Sequence, residues 1–475
     1  MRTSVAVAFT ASVLGTTVDA INLVKRNDGL PPRVVEHSIQ RKHIDNPLAH
    51  DRRRRKLRKR DTLGVTLDNE ETLYFANVSI GTPEQQFRLH LDTGSSDLWV
   101  NVADSHVCKE KGNLCSISGI YNANDSSTYS YVNSNFNISY VDGSGATGDY
   151  VTDIVKIGGT TLETQQFGVG YTSSSEEGIL GIGYASNEVA VRYNGGKTYP
   201  NVPQNLVDTG AINSNAYSLW LNDLDASTGS ILFGGVNTAK YTGALETLPV
   251  VKEQGVYAEF IIALTAVGAN GQTGSIASDQ AIPALLDSGS SLMYLPNDIT
   301  QSIYNSVNAQ YDESQGAAFV DCSLGNSDDT IDFTFSSPTI RVPLNELVIV
   351  AGTDRGQEVC ILGISPADGS TPVLGDTFLR SAYVVYDIAQ NEISLAQTSF
   401  NSTSNNILEI TNSSGVPDAT VVANAVTDVA VASGGARIGG SDGTMTLDAA
   451  AQPTAPPAWN FAALGAVAGA ALYAL

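Results

Sequence analysis

Histidine is scarce in this chain, and the scarcity limits the chemistry that its side chains can support. The sequence has 5 His in 475 residues, and of these only His90 and His106 lie beyond residue 50. A Ser-His-Asp triad needs a histidine base, and many metal sites use histidine ligands. Both kinds of site therefore have little to draw on.

Basic residues are scarce too, except at the N-terminal end. Residues 1–60 hold 14 of the 26 Lys and Arg residues and 5 of the 49 Asp and Glu residues. Residues 61–475 are left with 12 basic and 44 acidic residues. Because binding to nucleic acid draws on a basic surface, this acidic body argues against a nucleic-acid partner.

The N-terminal end has the pattern of a secreted precursor. Residues 1–20 contain Arg2, then an apolar run, then small residues, which predicts a signal peptide cut near Ala20; a buried helix is the alternative. The following segment, 21–60, ends in "RRRRKLRKR". In a secreted protein, Lys59-Arg60 is typical of a proprotein-convertase site, so 21–60 is predicted to be a propeptide. The alternative is a solvated basic arm.

The C-terminal end has the pattern of a lipid-attachment signal. Its last 15 residues, 461–475, are apolar and uncharged, and roughly 20 are needed to cross a bilayer. They predict a GPI signal with a hydrophobic tail, 458–475, behind a Ser/Thr/Ala-rich flexible stalk, 398–457. Attachment fits either "GGSDG" (439–443) or "DAAA" (448–451), and a plain tail anchor remains an alternative.

Cysteine is limited to four residues, all of which follow the predicted signal peptide. An even number in an oxidising compartment predicts two disulfides. Three connectivities are possible, and the local one, Cys108–Cys115 with Cys322–Cys360, costs the least loop closure. Five Asn-x-Ser/Thr sequons fit the same secretory route and predict glycosylation at Asn77, Asn124, Asn137, Asn401 and Asn412. Asn77 lies in a predicted strand, so an unmodified Asn77 is the alternative.

Between residues 70 and 397 the chain consists mainly of short alternating apolar runs separated by Gly, Asn, Asp and Ser clusters. This pattern predicts strands and hairpins, with a helix over 299–311 as one of few exceptions. The region is therefore predicted to be a mostly antiparallel, all-β domain.

Two segments in this region repeat. "LHLDTGSSDLWV" (89–100) and "ALLDSGSSLMYL" (284–295) place Asp92 and Asp287 at matching positions, 195 residues apart. A second motif follows each: "GILGIGY" (178–184) and "TPVLGDTF" (371–378). The spacing is 87 residues in the first half and 86 in the second, which indicates a duplication into two similar lobes.

Two Asp turns brought face to face form an acid and a base from one residue type. Both carboxylates cannot ionise comfortably together, so one keeps its proton and the pair titrates as a unit. A water held between them can then attack an amide without a metal, a cofactor or a covalent intermediate. One such turn alone is weak evidence, because a solvated turn Asp is common.

The residues that flank each Asp fit a supporting role. The hydroxyl residue after each Asp can bond across the lobe interface, the next Gly lets the backbone come close and donates an N–H, and the following Ser can donate to a carboxylate oxygen. A turn hydroxyl can also be a local backbone cap. These residues are Thr93, Gly94 and Ser95 in the first turn and Ser288, Gly289 and Ser290 in the second.

The region 70–397 resembles the pepsin family of aspartic proteases. The matching segments are "YFANVSIGTPEQQFRLHLDTGSSDLWV" and "LLDSGSS". The resemblance implies a bilobal fold over 61–397, with pseudo-twofold-related lobes at about 61–240 and 241–397 and a cleft between them. It also implies that Asp92 and Asp287 are the catalytic pair of a monomeric endopeptidase that cuts proteins or peptides at acid pH.

The resemblance assigns further residues. "ISYVDGSGATGDY" resembles the family's flap hairpin, which implies that Tyr140 is the flap tyrosine, supported by Trp99, and that Asp142 and Gly143 contact substrate. An ordinary cross-strand aromatic is the alternative for Tyr140. The resemblance also implies the disulfides Cys108–Cys115 and Cys322–Cys360.

The order of segments resembles the fungal surface-anchored branch of the family, the yapsins and their relatives. It implies a zymogen cut by a proprotein convertase, and a GPI lipid that holds the enzyme on the outer leaflet of the plasma membrane or in the cell wall. The loop "KEKGNL" between Cys108 and Cys115 is short, so preference for basic or hydrophobic residues stays open.

Three further hypotheses accompany this reading. The basic propeptide can lie across the acidic cleft, with a Lys or Arg paired to the aspartates. The domain can be a catalytically inactive pepsin-like protein that binds partners at the surface or builds the wall. The stalk can be the functional part, as an adhesive segment.

Overall fold

The computed structural model describes residues 22–23, 31–42, 73–109, 114–140, 144–193, 195–354, 356–412 and 415–431. The predicted signal peptide, the cut site at Lys59-Arg60 and the predicted GPI signal lie outside the described residues. Within the described parts of the chain, no helix has the length and apolar content needed to span a bilayer.

Strands account for most of the regular structure. In chain order, they are β1 Asn22–Leu23, β2 Val35–Lys42, β3 Leu73–Ile80, β4 Gln85–Asp92, β5 Leu98–Asn101, β6 Ser130–Ser139, β7 Gly145–Ile157, β8 Thr160–Ser173, β9 Ile179–Gly181, β10 Ala216–Trp220, β11 Thr228–Phe233, β12 Gly235–Asn237, β13 Tyr241–Pro249, β14 Ile261–Leu264, β15 Ala266–Ala269, β16 Gln272–Ala277, β17 Ile282–Leu286, β18 Met293–Leu295, β19 Gln310–Asp312, β20 Ala317–Val320, β21 Thr330–Thr334, β22 Thr339–Pro343, β23 Val348–Asp354, β24 Gln357–Leu362, β25 Ile364–Pro366, β26 Val373–Leu374, β27 Ala382–Asp387, β28 Glu392–Thr398, β29 Asn406–Glu409 and β30 Ala419–Val421.

Helices are short. The α-helices are His106–Lys109, Ala190–Tyr193, Val202–Asp208, Asn297–Val307, Leu344–Leu347 and Asp376–Leu379, and the 3-10 segments are Leu114–Ser116, Ala123–Asp125, Ala185–Asn187 and Cys322–Asn326. The helix expected over 299–311 is the longest of them, at 11 residues. It buries one face, including Ile299 and Ile303, and it ends where Asn308 takes a left-handed φ of 56°.

A sheet of 14 strands joins the two lobes. Its order is β30-β13-β28-β27-β10-β11-β2-β3-β4-β9-β5-β8-β7-β6. The lobes meet where β10 pairs antiparallel with β27, with Tyr217 opposite Tyr386. Their rings stack with centroids 5.0 Å apart, so aromatic side chains pack at the junction between the lobes.

The same three-strand unit occurs once in each lobe. In the first lobe β9 lies between β4, which is parallel to it, and β5, which is antiparallel. In the second lobe β26 lies in the same way between β17 and β18. The second repeated motif therefore packs directly beside the strand that leads to each Asp, and the duplication inferred from sequence spacing is a duplication of this unit.

Part of the predicted propeptide is a strand of the large sheet. β2 pairs antiparallel with β11 on one side and with β3 on the other. Its Val35 and Ile39 side chains are buried in the main core. The segment 35–42 is therefore a structural part of the sheet rather than a strap across the cleft. The residues that follow it, 43–72, lie outside the described residues.

The folded body extends further than the sequence predicted. A flexible stalk was expected from residue 398, but β29 pairs with β12 and with β1, and β30 pairs with β13. Ile407, Ile410 and Val416 are buried there. A few apolar side chains spaced among Ser and Asn are enough to fix this segment, because its polar groups bond to the body, as Asn237 Nδ2 does to Asn405 Oδ1 at 2.7 Å.

Candidate active site

Each repeated Asp turn starts where an inner strand of its lobe ends. Asp92 is the last residue of β4, and Asp287 directly follows β17. Both side chains are almost fully buried, at 0% and 3% exposure. Matching strands therefore deliver two acidic groups to the same junction between the lobes.

The two turns are joined by four reciprocal hydrogen bonds. Thr93 Oγ1 donates to the Leu286 carbonyl at 3.0 Å and accepts from the Ser288 N–H at 2.9 Å. Ser288 Oγ donates to the Leu91 carbonyl at 2.9 Å and accepts from the Thr93 N–H at 3.2 Å. Each hydroxyl thus bonds the backbone of the other lobe, which fixes the turns relative to each other.

Backbone amides point at both carboxylates. The Gly94 N–H donates to Asp92 Oδ1 at 2.9 Å, and the Gly289 N–H donates to Asp287 Oδ1 at 2.8 Å. Such bonds stabilise the charged form of a carboxyl group. The two turns therefore present the same amide to the same oxygen.

The serine three positions after each Asp behaves differently in the two turns. Ser290 Oγ donates to Asp287 Oδ2 at 2.7 Å. Ser95 Oγ is buried and bonds to none of the described residues. The expected donation to the outer oxygen is present for Ser290, and the structure does not show it for Ser95.

Glycine is needed at position 94 because the opposite carboxylate lies against it. A Cβ added to Gly94 would come within 2.6 Å of Asp287 Oδ1 and 2.8 Å of its Cγ. A side chain there would push the two turns apart. The turn that carries Asp92 therefore touches the carboxylate of Asp287, and the two acids share one site.

Two tyrosines of the lobe junction lie close to the dyad. Burial raises the pKa of Tyr386 above its usual value, and the nearby Asp287 and Asp376 carboxylates raise it further. Burial likewise raises the pKa of Tyr217, with smaller contributions from Tyr386, Tyr184 and Asp92. Both phenols therefore stay neutral and add no charge beside the two acids.

The hairpin β6–β7 carries Tyr140 next to the first turn. Tyr140 accepts a hydrogen bond from Trp99 Nε1 to its hydroxyl at 2.7 Å, and both side chains are buried. The tip residues Asp142 and Gly143 lie outside the described residues. The structure thus joins Tyr140 to Trp99, and it does not describe what the tip contacts.

A buried acid behind this hairpin escaped the sequence analysis. Asp97 is fully buried and accepts from the hydroxyls of Tyr150 at 2.6 Å and Tyr199 at 3.0 Å, and from the Val189 N–H at 3.0 Å. Burial, then Asp97, raises the pKa of Tyr199 well above its usual value. The available signal was an Asp at the position where the second repeat has Leu292.

The remaining predicted residues lie away from the cleft or beyond the described chain. Cys108 is joined to Cys115, and Cys322 to Cys360. Of the sequon asparagines, Asn137 is half-buried, and those that are exposed are Asn77, Asn124, Asn401 and Asn412. Among the described residues, no group of three or more His, Cys, Asp or Glu is arranged to hold a metal ion.

Comparison with known proteins places the chain in a family. Residues 73–398 match the family model of the eukaryotic aspartyl proteases. The chain is 56% identical to the Aspergillus fumigatus protein named "Probable aspartic-type endopeptidase opsB" over 422 residues, 87% of each chain. It is 49% identical to an Arthroderma benhamiae protein of the same name, over 88% of this chain and 87% of that one.

More distant relatives agree. Candidapepsin-3 of Candida albicans is 39% identical over 73% of this chain and 85% of its own. The aspartic proteinase of Irpex lacteus matches with a TM-score of 0.59 at 23% identity, covering 78% of this chain and all of that one, which concerns the fold. The predicted bilobal, mostly antiparallel fold is confirmed. The chain belongs to the eukaryotic aspartyl protease family and is an aspartic-type endopeptidase.

Proposed function

We propose that Asp92 and Asp287 are the catalytic pair of an endopeptidase that works at acid pH, is made as a zymogen and is held at the cell surface. The observation that carries the proposal is the contact between the turns. Gly94 lies against the carboxylate of Asp287, and the reciprocal bonds of Thr93 and Ser288 fix that contact.

The reaction follows from two acids that share one proton. The charged carboxylate takes a proton from a water held between the two groups, and the water oxygen attacks the carbonyl carbon of the scissile amide. The protonated carboxyl gives its proton to the carbonyl oxygen. The carboxyl that gained the proton from water then passes it to the amide nitrogen, while the other carboxylate takes a proton from one hydroxyl of the tetrahedral diol. The C–N bond breaks, an acid and an amine are released, and the pair again holds one proton.

Acid pH follows from the same pair. The cycle starts with one proton on the two carboxyls, and this state is lost when both ionise at higher pH. Activity should therefore fall as pH rises towards neutrality. Beyond residue 60 the chain has 44 Asp and Glu residues against 12 Lys and Arg residues. Repulsion between these carboxylates is also greatest at neutral pH, where they are charged.

The test is peptide cleavage by the secreted protein at acid and neutral pH, with and without pepstatin, beside an Asp287→Asn variant. We expect acid cleavage that pepstatin stops and that the variant lacks. Cleavage that persists in the variant would contradict the assigned pair. Equal rates at acid and neutral pH would contradict the acid requirement alone.

We infer a zymogen from the basic segment that follows the predicted signal peptide and ends at Lys59-Arg60. Residues 35–42 lie between β11 and β3, so a precursor segment completes the sheet that joins the lobes. Replacing Lys59 and Arg60 with Ala should leave a larger secreted product with lower activity, seen by mass spectrometry and peptide cleavage. Full activity of the uncut product at acid pH would contradict the inference.

Surface attachment is proposed from the sequence of the C-terminal end and from secretion in a relative. The protein named "Secreted aspartic protease 3" of Candida albicans is 39% identical to this chain. A phosphatidylinositol-specific phospholipase should release the protein from intact cells, while a variant that ends at residue 457 should pass into the medium. Retention that resists the lipase would contradict a lipid anchor in the membrane.

Glycan attachment is proposed at the four exposed sequons. Asn77 points to solvent from the centre of β3, whose other seven residues are buried. Asn137 has its Oδ1 enclosed, so we expect it to stay unmodified. Peptide mapping before and after enzymatic deglycosylation distinguishes these sites, and a glycan on Asn137 would contradict the assignment.

A further inference from the structure

The two lobes carry matching apolar clusters beside their aspartates. In the first lobe, Ile179 of β9 lies opposite Trp99 and belongs to a cluster with Phe136, Ile138 and Tyr140. In the second lobe, Val373 of β26 lies opposite Tyr294. Its cluster, named here the Asp287-side cluster, consists of Val251, Ile261, Leu285, Leu292, Tyr294, Ala317, Ile349, Ile361, Ala367 and Val373.

The Asp287-side cluster is a second group of buried apolar residues, separate from the main core. Side chains alternate along a strand, so Leu285 points to the same side as Asp287, two residues later. The residue between them, Leu286, belongs to the main core on the opposite side. Leu285 also lies beside Val373 in the parallel pairing of β17 and β26. These two side chains therefore lie on the same side of the sheet as the Asp287 carboxyl.

The residues that pack over the two clusters come from different parts of the chain. The first-lobe cluster includes Tyr140, from the hairpin β6–β7. The second is approached by the end of the described chain, because Val429 and Val431 pack against the Asp287-side cluster. Both are half-buried, and Ala430 between them is exposed, as expected for an extended segment with one face on the protein.

The C-terminal segment, defined here as residues 399–412 and 415–431, is held by hydrogen bonds along its path to this cluster. The Val422 N–H donates to the Thr247 carbonyl at 2.9 Å, just after β30 pairs with β13. The Val426 N–H donates to Ser336 Oγ at 3.0 Å, in the second lobe. Val429 follows three residues later. The segment is thus tied to the large sheet and to the second lobe before it reaches the cluster.

We propose that Val429 and Val431 determine specificity by completing the substrate-binding wall on the Asp287 side. An extended peptide across the cleft turns the side chains of the two residues that flank the scissile bond in opposite directions. One is accepted by the cluster under Tyr140 and the other by the Asp287-side cluster. Because the C-terminal segment sets how much apolar surface the second cluster offers, it favours large apolar side chains over small ones on that side of the bond.

The test uses the full secreted chain with Val429→Ser, Val431→Ser and both together. Val421→Ser is the matched control, because Val421 is 68% exposed on the same segment. Two peptide series vary the residue before and the residue after the scissile bond. We expect the preference for Leu over Ala in kcat/KM to fall about fivefold or more in one series and to stay unchanged in the other and in the control.

A bulky variant guards against misfolding as the cause. Val431→Phe keeps the wall apolar but fills space, so in the same series it should lower kcat/KM for the Leu peptide and leave kcat/KM for the Ala peptide unchanged, whereas misfolding would lower both. Unchanged preferences in all variants would overturn the proposal. So would an equal loss in every peptide together with a lowered Tm, which is the effect of a purely structural contact.

The inference rests on the proposed catalytic pair, and a second readout separates the two. Peptides of the same sequences, with a non-hydrolysable bond in place of the scissile amide, are measured for equilibrium binding to chains that carry each valine substitution. A change in binding preference without turnover supports the wall even if the assigned acids prove wrong. An unchanged binding preference overturns the wall even if the acids prove right.

Discussion

The two lobes have the same inner structure but differ in what covers it. In both, a strand ending in Asp lies beside a short parallel strand, and a Gly amide donates to Oδ1 of the acid. Outside this unit the lobes diverge. The first lobe adds the long hairpin β6–β7 with Tyr140, and the second is contacted by Val429 and Val431 of the C-terminal segment.

We interpret the shared inner unit as the part that carries out the reaction and the differing covering segments as the parts that bind the substrate. In the proposed mechanism, peptide hydrolysis by a shared proton needs two similar acids in one site, which accounts for the likeness of the two units. A peptide has a direction and presents different residues on the two sides of its scissile bond. Because different segments cover the two similar Asp turns, the residues on the two sides of the scissile bond can be recognised independently.

The largest expected effect comes from removing either acid. Asp92→Asn and Asp287→Asn should each lower kcat/KM by about 1000-fold or more, because each removes the proton exchange on which the step depends. The double variant should be no worse than the singles, since the acids act as a unit. Steady-state peptide cleavage measures this, and a tenfold difference between the singles would show that the lobes are not equivalent in catalysis.

The reciprocal bonds come next. Thr93→Val and Ser288→Ala each leave buried backbone groups of the other lobe unpaired, and each should lower the free energy of unfolding by roughly 3 kcal/mol. Thr93→Ser and Ser288→Thr keep the hydroxyls and serve as matched controls. Denaturant unfolding measures the losses. A large loss from one side only would show that one lobe supplies most of the connection.

A raised carboxyl pKa at the junction between the lobes should make the stability of the protein depend on pH. Burial raises the pKa of Asp387, at the end of β27, to about 6. A raised carboxyl pKa favours the folded state when the group is protonated, so this contribution is present at acid pH and is lost as pH rises through about 6. The loss is up to roughly 3 kcal/mol.

Asp387→Asn should remove this dependence. The variant should lose less stability than the wild type between pH 4 and pH 7, measured as Tm across that range. Asp223→Asn, in the turn after β10, is the control, because Asp223 is only half-buried. Identical pH slopes for the wild type and Asp387→Asn would show that the destabilisation at neutral pH comes from other carboxyls.

The smallest expected effect compares the two serines. Ser290 Oγ donates to Asp287, whereas Ser95 Oγ bonds to none of the described residues. Ser290→Ala removes a bond that stabilises the charged carboxylate, so the acid limb of the kcat/KM profile should move to higher pH by less than about one unit. Ser95→Ala should leave that limb in place. Equal shifts would mean that the turns are equivalent during catalysis.

The meeting of the two Asp turns was predictable because the turns consist of contiguous motifs. An Asp, a hydroxyl residue and a Gly lie next to one another, and a second motif follows at matching distance in each half. Spacing alone indicates the duplication. The pairing of β4 with β9 and of β17 with β26 is the structural form of that spacing.

What could not be predicted depends on partners far away in sequence. Asp97 bonds to Tyr150 and Tyr199, which are 53 and 102 residues away. The C-terminal segment is rich in Ser, Thr and Asn, a composition typical of a flexible stalk. Its strands form because the body offers free edges at β12 and β13, and local composition carries no record of those edges.

The position of β2 inside the sheet determines whether the propeptide leaves after the precursor is cut. Val35–Lys42 pairs on both sides, with β11 and with β3. A cut after Arg60 would break the chain but leave these pairings intact. The severed segment would then be a bound peptide with a dissociation rate, and its retention would depend on dilution. Its departure would expose two strand edges, and a second segment would have to compete for them.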